Sequence, residues 1–231
     1  MERTVAGLEV LLASDFPTQF ALAATFTALG YRPIDSQGQL NVGFVVGLSL
    51  ADTVALIGLI LLFLYTHGES PKRVFLGRRS FSGEAAFGVP LIVVALTIGL
   101  AVLLFIQRFV PSLHTVEHNP LQGLLKSPGD AWLFGFVVIV AGGLREEIQR
   151  AFLLHRFETH LGGAGVGIVV TSVVFGAGHF ELQGGDAAVA TGLLGAFWGL
   201  VYLRRRSFVA PMVSHAGFDV VQILQFMMLG R

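Results

Sequence analysis

The chain has 231 residues, 54% hydrophobic and 13% charged, with a mean hydropathy of +0.74; an average soluble domain carries roughly 25% charged residues, so this is the composition of a membrane protein. Its 15 basic and 15 acidic residues cancel, which leaves no basic surface for nucleic acid and no acidic tail. Cysteine is absent, which excludes disulfides, thiolate metal sites and a cysteine nucleophile, so any chemistry must come from His, Glu, Asp, Ser or a metal.

In chain order, residues 5–13 are apolar around Glu9 and are followed by Ser14-Asp15-Phe16-Pro17, an N-cap with proline just inside the next segment. This predicts a short amphipathic or interfacial helix and then a weak span over 17–29. The start, Met1-Glu2-Arg3, has no net positive region, so no cleaved signal peptide is expected. Residues 31–39, with Pro33 and Gly38, read as a polar turn. The apolar run 42–65 is long enough to cross a hydrocarbon core that needs about 20 residues. Asp52 lies near its middle with no partner close in sequence, and is expected to be neutral or hydrogen-bonded to a neighbouring helix. Residues 66–84 carry Lys72, Arg73, Arg78 and Arg79 and are expected on the cytoplasmic side. A further span covers 85–107, with Pro90 near its start, where a missing N–H costs little. The connection 109–130 holds His114 and His118 at i,i+4 spacing, but Pro111 and Pro120 flank them and no third metal ligand is close, so it reads as an extramembrane loop.

Residues 131–161 form the next helix, ending in the polar tail His155-Arg156-Phe157-Glu158-Thr159-His160, which is expected to project beyond the membrane, and in the turn Gly162-Gly163. Residues 164–180 are small and β-branched, with glycines suited to close helix packing in lipid. Spans over 187–203 and 207–229 complete the chain, separated by Arg204-Arg205-Arg206. Alternation of the spans puts the 66–84 loop, the Gly162-Gly163 turn and the arginine cluster on one side, with 109–130 and 181–186 on the other. The expected fold is all-α: one polytopic membrane domain, 1–231, of about seven to eight transmembrane helices. Residues 1–130 supply N-terminal helices and 131–229 a core that carries the chemistry.

The helix over 131–161 holds Arg145-Glu146-Glu147-Ile148-Gln149-Arg150 between the apolar runs 131–141 and 151–154. Glu146 lies four residues before Arg150 and Glu147 three before it, each close enough to pair. Adjacent side chains point about 100° apart on an α-helix, so one Glu can face a site while the other pairs with Arg150. Glu146 and His179 flank the Gly162-Gly163 turn at nearly equal separations along antiparallel helices, which sets them at one depth. His215, with Asp219 one turn further on, lies on a third helix, the span 207–229, at a similar level. A lone His in an apolar helix is a hydrogen-bonded core residue in most cases, but several ionisable groups converging at one depth point to function. A carboxylate beside two imidazoles can act as general base on water while the imidazoles stabilise an oxyanion. Equally, Glu146, His179 and His215 are a His₂Glu set that could hold zinc, which would itself acidify the water. No H-E-x-x-H helix is present, and the residues leave both routes open.

Glu146-Glu147-x-x-Arg150 (spaced E-E-x-x-R here), Phe175-x-x-x-His179 and His215-x-x-x-Asp219, in that order on three late helices, resemble the Glu-Glu/Arg, FxxxH and HxxxN/D motifs of the CAAX protease and bacteriocin-processing (CPBP) family of intramembrane proteases. The resemblance covers the C-terminal half. It implies endoproteolysis of a membrane-associated or prenylated CAAX-type substrate near the bilayer, by a metalloendopeptidase or a glutamate-type enzyme. It also implies roles: Glu146 with His179 activates water, His215 and Asp219 form an oxyanion hole, and Glu147 and Arg150 belong to the same motif. Since the family has prokaryotic members, the chain is expected to be a multi-pass protein of a prokaryotic cell membrane. Two readings from other classes are a non-catalytic scaffold or bacteriocin-immunity protein, in which the same residues are a structural polar network, and a small proton-coupled transporter. Against the transporter, the sequence shows no inverted repeat and no paired broken helices.

Overall fold

The computed structural model describes residues 2–36, 38–116, 123–125 and 127–229. These form α1 (Arg3–Leu12), α2 (Phe16–Ala28), α3 (Val42–Thr66), α4 (Pro71–Phe75), α5 (Phe81–Phe109), α6 (Pro128–Val137), a π-helical segment (Val138–Arg145), α7 (Glu146–His160), α8 (Ala164–Arg205) and α9 (Val209–Leu229). Polar caps start the helices where apolar sequence begins. Asn41 accepts from the Phe44 amide at α3, Ser80 from that of Gly83 at α5, and Ser127 from that of Asp130 at α6. α5 starts earlier than the hydropathy suggests, so Pro90 lies inside the helix rather than near its start.

The chain is an all-α integral membrane bundle. Four described helices, α3, α5, α8 and α9, are long and apolar enough to cross a bilayer. α8 is 42 residues long and turns back at Gly184, whose φ of 89° lies in the left-handed region that favours glycine, so the two spans expected over 164–180 and 187–203 are arms of one bent helix. The arms pack closely: a Cβ on Gly176 would come 2.5 Å from the Ala188 carbonyl oxygen. α6, the π segment and α7 run on without a break from 128 to 160 and carry the charged stretch. α2, at 13 residues, is about 20 Å long at 1.5 Å per residue and falls short of a full crossing.

Contacts at the two ends of the bundle bear out the expected alternation. At one end the Phe208 amide donates to the Phe75 carbonyl at 2.9 Å, Tyr202 Oη to that of Val74 at 3.0 Å, and Arg205 to Glu84 at 2.6 Å. The two basic loops therefore lie together. At the other end His114 Nδ1 meets Asp186 at 2.6 Å and the Gly185 amide donates to Thr115 Oγ1 at 3.1 Å, which joins the 109–130 connection to the corner of α8. His118 lies outside the described residues. The polar tail of α7 is not free: Arg156 is fully buried, donating to Glu9 of α1 and to Glu69, each at 2.6 Å, while His67 meets Glu9 and His155 meets Glu69. Because the chain has no native cysteine, this arrangement is open to labelling. Single cysteines at the exposed positions Arg78 and Arg204 are expected to react with an impermeant reagent from one side of the membrane, and one at Ser112 from the other. Labelling of Arg204→Cys and Ser112→Cys from the same face would contradict the arrangement.

Candidate active site

The site forms where α9 crosses the π segment. The crossing is close because the π segment presents glycine: a Cβ on Gly143 would lie 2.7 Å from that of Ala216, and one on Gly142 2.7 Å from Asp219 Oδ2. π-helical turns widen the backbone locally and recur at functional sites. Regular α-helix resumes at Glu146, so the two glutamates open α7 and leave it in different directions.

Glu147 turns inward. It is almost wholly buried, pairs with Arg150, and accepts from His215 Nδ1 at 2.8 Å. Arg150 takes Glu147 rather than Glu146, and its guanidinium lies 4.8 Å from the centre of the Phe175 ring and 5.7 Å from that of Trp198. Trp198 stacks on His215 with ring centres 3.9 Å apart and planes 18° apart, and its own indole N–H donates to Ser214 at 3.1 Å. His215 is thus fixed by a carboxylate at one nitrogen and an aromatic face at its side. With Nδ1 donating to Glu147, Nε2 points to Glu146 Oε2 at 3.9 Å and Asp219 Oδ2 at 3.7 Å. Both separations exceed a direct hydrogen bond and suit a bridging water.

Glu146 faces open space. It lines a cavity of about 390 Å³ together with His179, His215, Asp219, Phe175 and Trp198. It also lines a second cavity, of about 320 Å³, again with His179 and Phe175. His179 Nδ1 lies 2.8 Å from the Phe175 carbonyl, which can only accept, so Nδ1 carries the proton and Nε2 is the free nitrogen. Phe175 packs edge-on against His179 at 4.8 Å and against His215 at 6.2 Å, which explains a phenylalanine four residues before the first histidine. Of the six residues expected from sequence, Glu146, His179, His215 and Asp219 line one cavity, while Glu147 and Arg150 stand behind it as an ion pair.

Three residues that the sequence reading did not assign to the site belong to it: Arg145, Asp15 and Asp52. Arg145 donates to Glu146 at 3.2 Å, to Asp52 at 2.6 Å and to Asp15 at 2.5 Å. The expectation that Asp52 bonds to a neighbouring helix holds, with Arg145 as the partner. The charge at 145 and the isolated acid at 52 were each visible, but nothing in the sequence joins positions 93 residues apart.

The donors for a metal would be Glu146 with the Nε2 atoms of His179 and His215. An ion held there would acidify a bound water, and the steps below are those of the chain's own residues. The arrangement is that of two oriented imidazoles and a carboxylate around space for water and a carbonyl group.

Comparison with known families bears on the same segment. Residues 128–221 match the family model described as "Type II CAAX prenyl endopeptidase Rce1-like", less than half of the chain but including Glu146, Glu147, Arg150, His179, His215 and Asp219. The resemblance read from the three motifs is thereby supported at the level of the family. No curated protein and no solved structure matches the chain.

Proposed function

We propose that this chain is an intramembrane endopeptidase that hydrolyses a peptide bond of a membrane-associated substrate, with a prenylated CAAX-type peptide as the first candidate from the description of the matched family. The observation that carries the reading is the Glu146 carboxylate opening into a cavity that two imidazoles share, each with its Nδ1 engaged and its Nε2 free for the substrate or water. Glu146 takes a proton from a water positioned with His179 Nε2, the resulting hydroxide adds to the substrate carbonyl, and Glu146 returns the proton to the leaving amine. His215, with Glu147 as counter-ion, can carry a second proton on Nε2 and donate it as a hydrogen bond to the oxyanion. The apolar walls contributed by Val45, Phe134, Val137 and Leu194 suit a hydrophobic substrate segment.

Asp219 follows from this geometry. Glu147 already orients His215, so a second orienting carboxylate is redundant, and in the proposed mechanism a protonated Asp219 donates to the oxyanion alongside His215 Nε2. Asp219→Asn keeps a donor at that place and is expected to retain turnover within about an order of magnitude. A loss on the order of 10²-fold or more in folded protein, at every pH tested, would assign Asp219 to orientation instead.

The activity is tested on purified protein in lipid nanodiscs with a prenylated CAAX peptide and the same peptide unmodified. The expected result is release of a C-terminal fragment from the prenylated peptide, continuing in protein stripped of metal by a strong chelator. Loss of turnover restored by about one equivalent of zinc would make Glu146 a ligand rather than the base. Folded protein that cuts neither peptide would remove the support for a CAAX-type substrate.

A further inference from the structure

The matched segment contains Arg145 and Glu146, yet the two acids that anchor Arg145 lie outside it. We propose that Arg145 is the positioning residue of the Glu146 carboxylate, and that Asp15 and Asp52, from the N-terminal helices, aim it. This rests on the reading of Glu146 as the general base.

A guanidinium is a planar, rigid fork, so fixing one edge fixes the direction of the others. Arg145 is buried, with Nε donating to the Ala141 carbonyl at 3.2 Å and Nη1 to both Asp15 at 2.5 Å and Asp52 at 2.6 Å. Those three contacts leave Nη2 directed at Glu146 Oε1, 3.2 Å away. Oε1 is then the held oxygen, and Oε2, which faces His215 Nε2 at 3.9 Å, is the one left to take the proton of the water. Asp15 is itself anchored: Gln19 Nε2 donates to its Oδ2 at 2.7 Å, and Gln149 Nε2 donates to the Ala13 carbonyl at 2.8 Å, so the corner between α1 and α2 is tied to Arg145 through Asp15 and to α7 one turn further on. Asp15 adopts this place with a φ of 80°, a conformation that few residues other than glycine, asparagine and aspartate adopt.

Placement separates this cluster from an ion pair that only holds helices together. Arg145 and Glu146 line both cavities, and Asp15 and Gln19 line the second, so the fork sits on the wall between the two spaces that meet at the base. Three carboxylates converge on one guanidinium, and the third is the one in the site. The N-terminal helices thereby become part of the catalytic apparatus, reaching Glu146 from positions 130 and 93 residues before Arg145.

The test compares Asp15→Gly, Asp15→Asn, Arg145→Lys and Glu146→Gln in steady-state cleavage, with thermal melting of each. Glycine accepts the backbone at position 15 without strain and removes only the carboxylate, so this variant folds even if those at 145 do not. Asp15→Gly is expected to lower kcat by about 10-fold or more with KM within about twofold and melting unchanged, since misplacing a catalytic group by an ångström can cost about 10²-fold. Asp15→Asn restores an acceptor in the same place and is expected to recover most of that loss. Arg145→Lys keeps the charge without the fork and is expected to lose about 10²-fold in kcat. Wild-type kcat in Asp15→Gly, or a loss confined to KM, with Glu146→Gln inactive, would overturn the positioning role and leave the general base intact. Turnover in Glu146→Gln would instead overturn the reading on which the inference rests.

Discussion

Glu146→Gln is expected to remove turnover while leaving the protein folded. Glutamine has the same shape, and its amide oxygen can still accept from Arg145 Nη2, now 3.2 Å from Oε1, so the contact that packs this side chain survives. What is lost is the proton acceptor. General-base catalysis contributes about 10²- to 10⁴-fold, and a loss in that range, with KM little changed, is the expected result. In the proposed mechanism His179 Nε2 places the water, and any rate that remains in the variant measures what that imidazole can do as a base. Full turnover in folded Glu146→Gln would sink the assignment. Wild-type and variant melting curves belong beside the kinetics, so that loss of chemistry is not confused with loss of fold.

The largest effect on folding is expected at Arg150. Arg150→Ala leaves Glu147 almost wholly buried, with His215 as its remaining partner and the faces of Phe175 and Trp198 vacated. Removing one member of a buried pair costs about 3–5 kcal/mol, a large share of the stability of an ordinary domain. Folded yield and melting temperature should both fall steeply. Adding Glu147→Gln to that variant removes the orphaned charge and should return part of the loss, a non-additivity expected only of residues that act on each other. Arg150→Ala with the yield and melting of the wild-type protein would show that the pair carries no structural weight.

Much of this site was legible before the structure because each motif lies within one helical turn. Residues three and four apart share a helix face, so that one of Glu146 and Glu147 faces a site while the other pairs with Arg150, and that His215 lies beside Asp219, follow from spacing, whereas which glutamate does which does not. The long apolar runs of α3 and α5 were legible for the same local reason: hydrophobicity and length define a span without reference to neighbours. Three features were not. The π segment has no residue signature, since a bond to i+5 rather than i+4 asks nothing particular of the side chains. The joining of two expected spans into bent α8 depends on one φ at Gly184, among 29 glycines in the chain. The Arg145 cluster depends on tertiary packing, which brings Asp15 and Asp52 to a residue that local spacing had assigned no partner beyond its own helix. The buried Arg156 network follows the same rule, because its acids come from α1 and from the turn before α4.

The most direct test of glutamate-activated water is a single turnover in H₂¹⁸O, with protein in excess over a prenylated CAAX peptide and both products and protein analysed by mass. Direct attack by a water that Glu146 has deprotonated puts one ¹⁸O into the new carboxylate of the peptide and none into the protein. That is the expected result. Label appearing in the fragment of the chain that contains Glu146 would mean that its carboxylate had bonded to the substrate and been released by water, which would make it a nucleophile and contradict its role as general base.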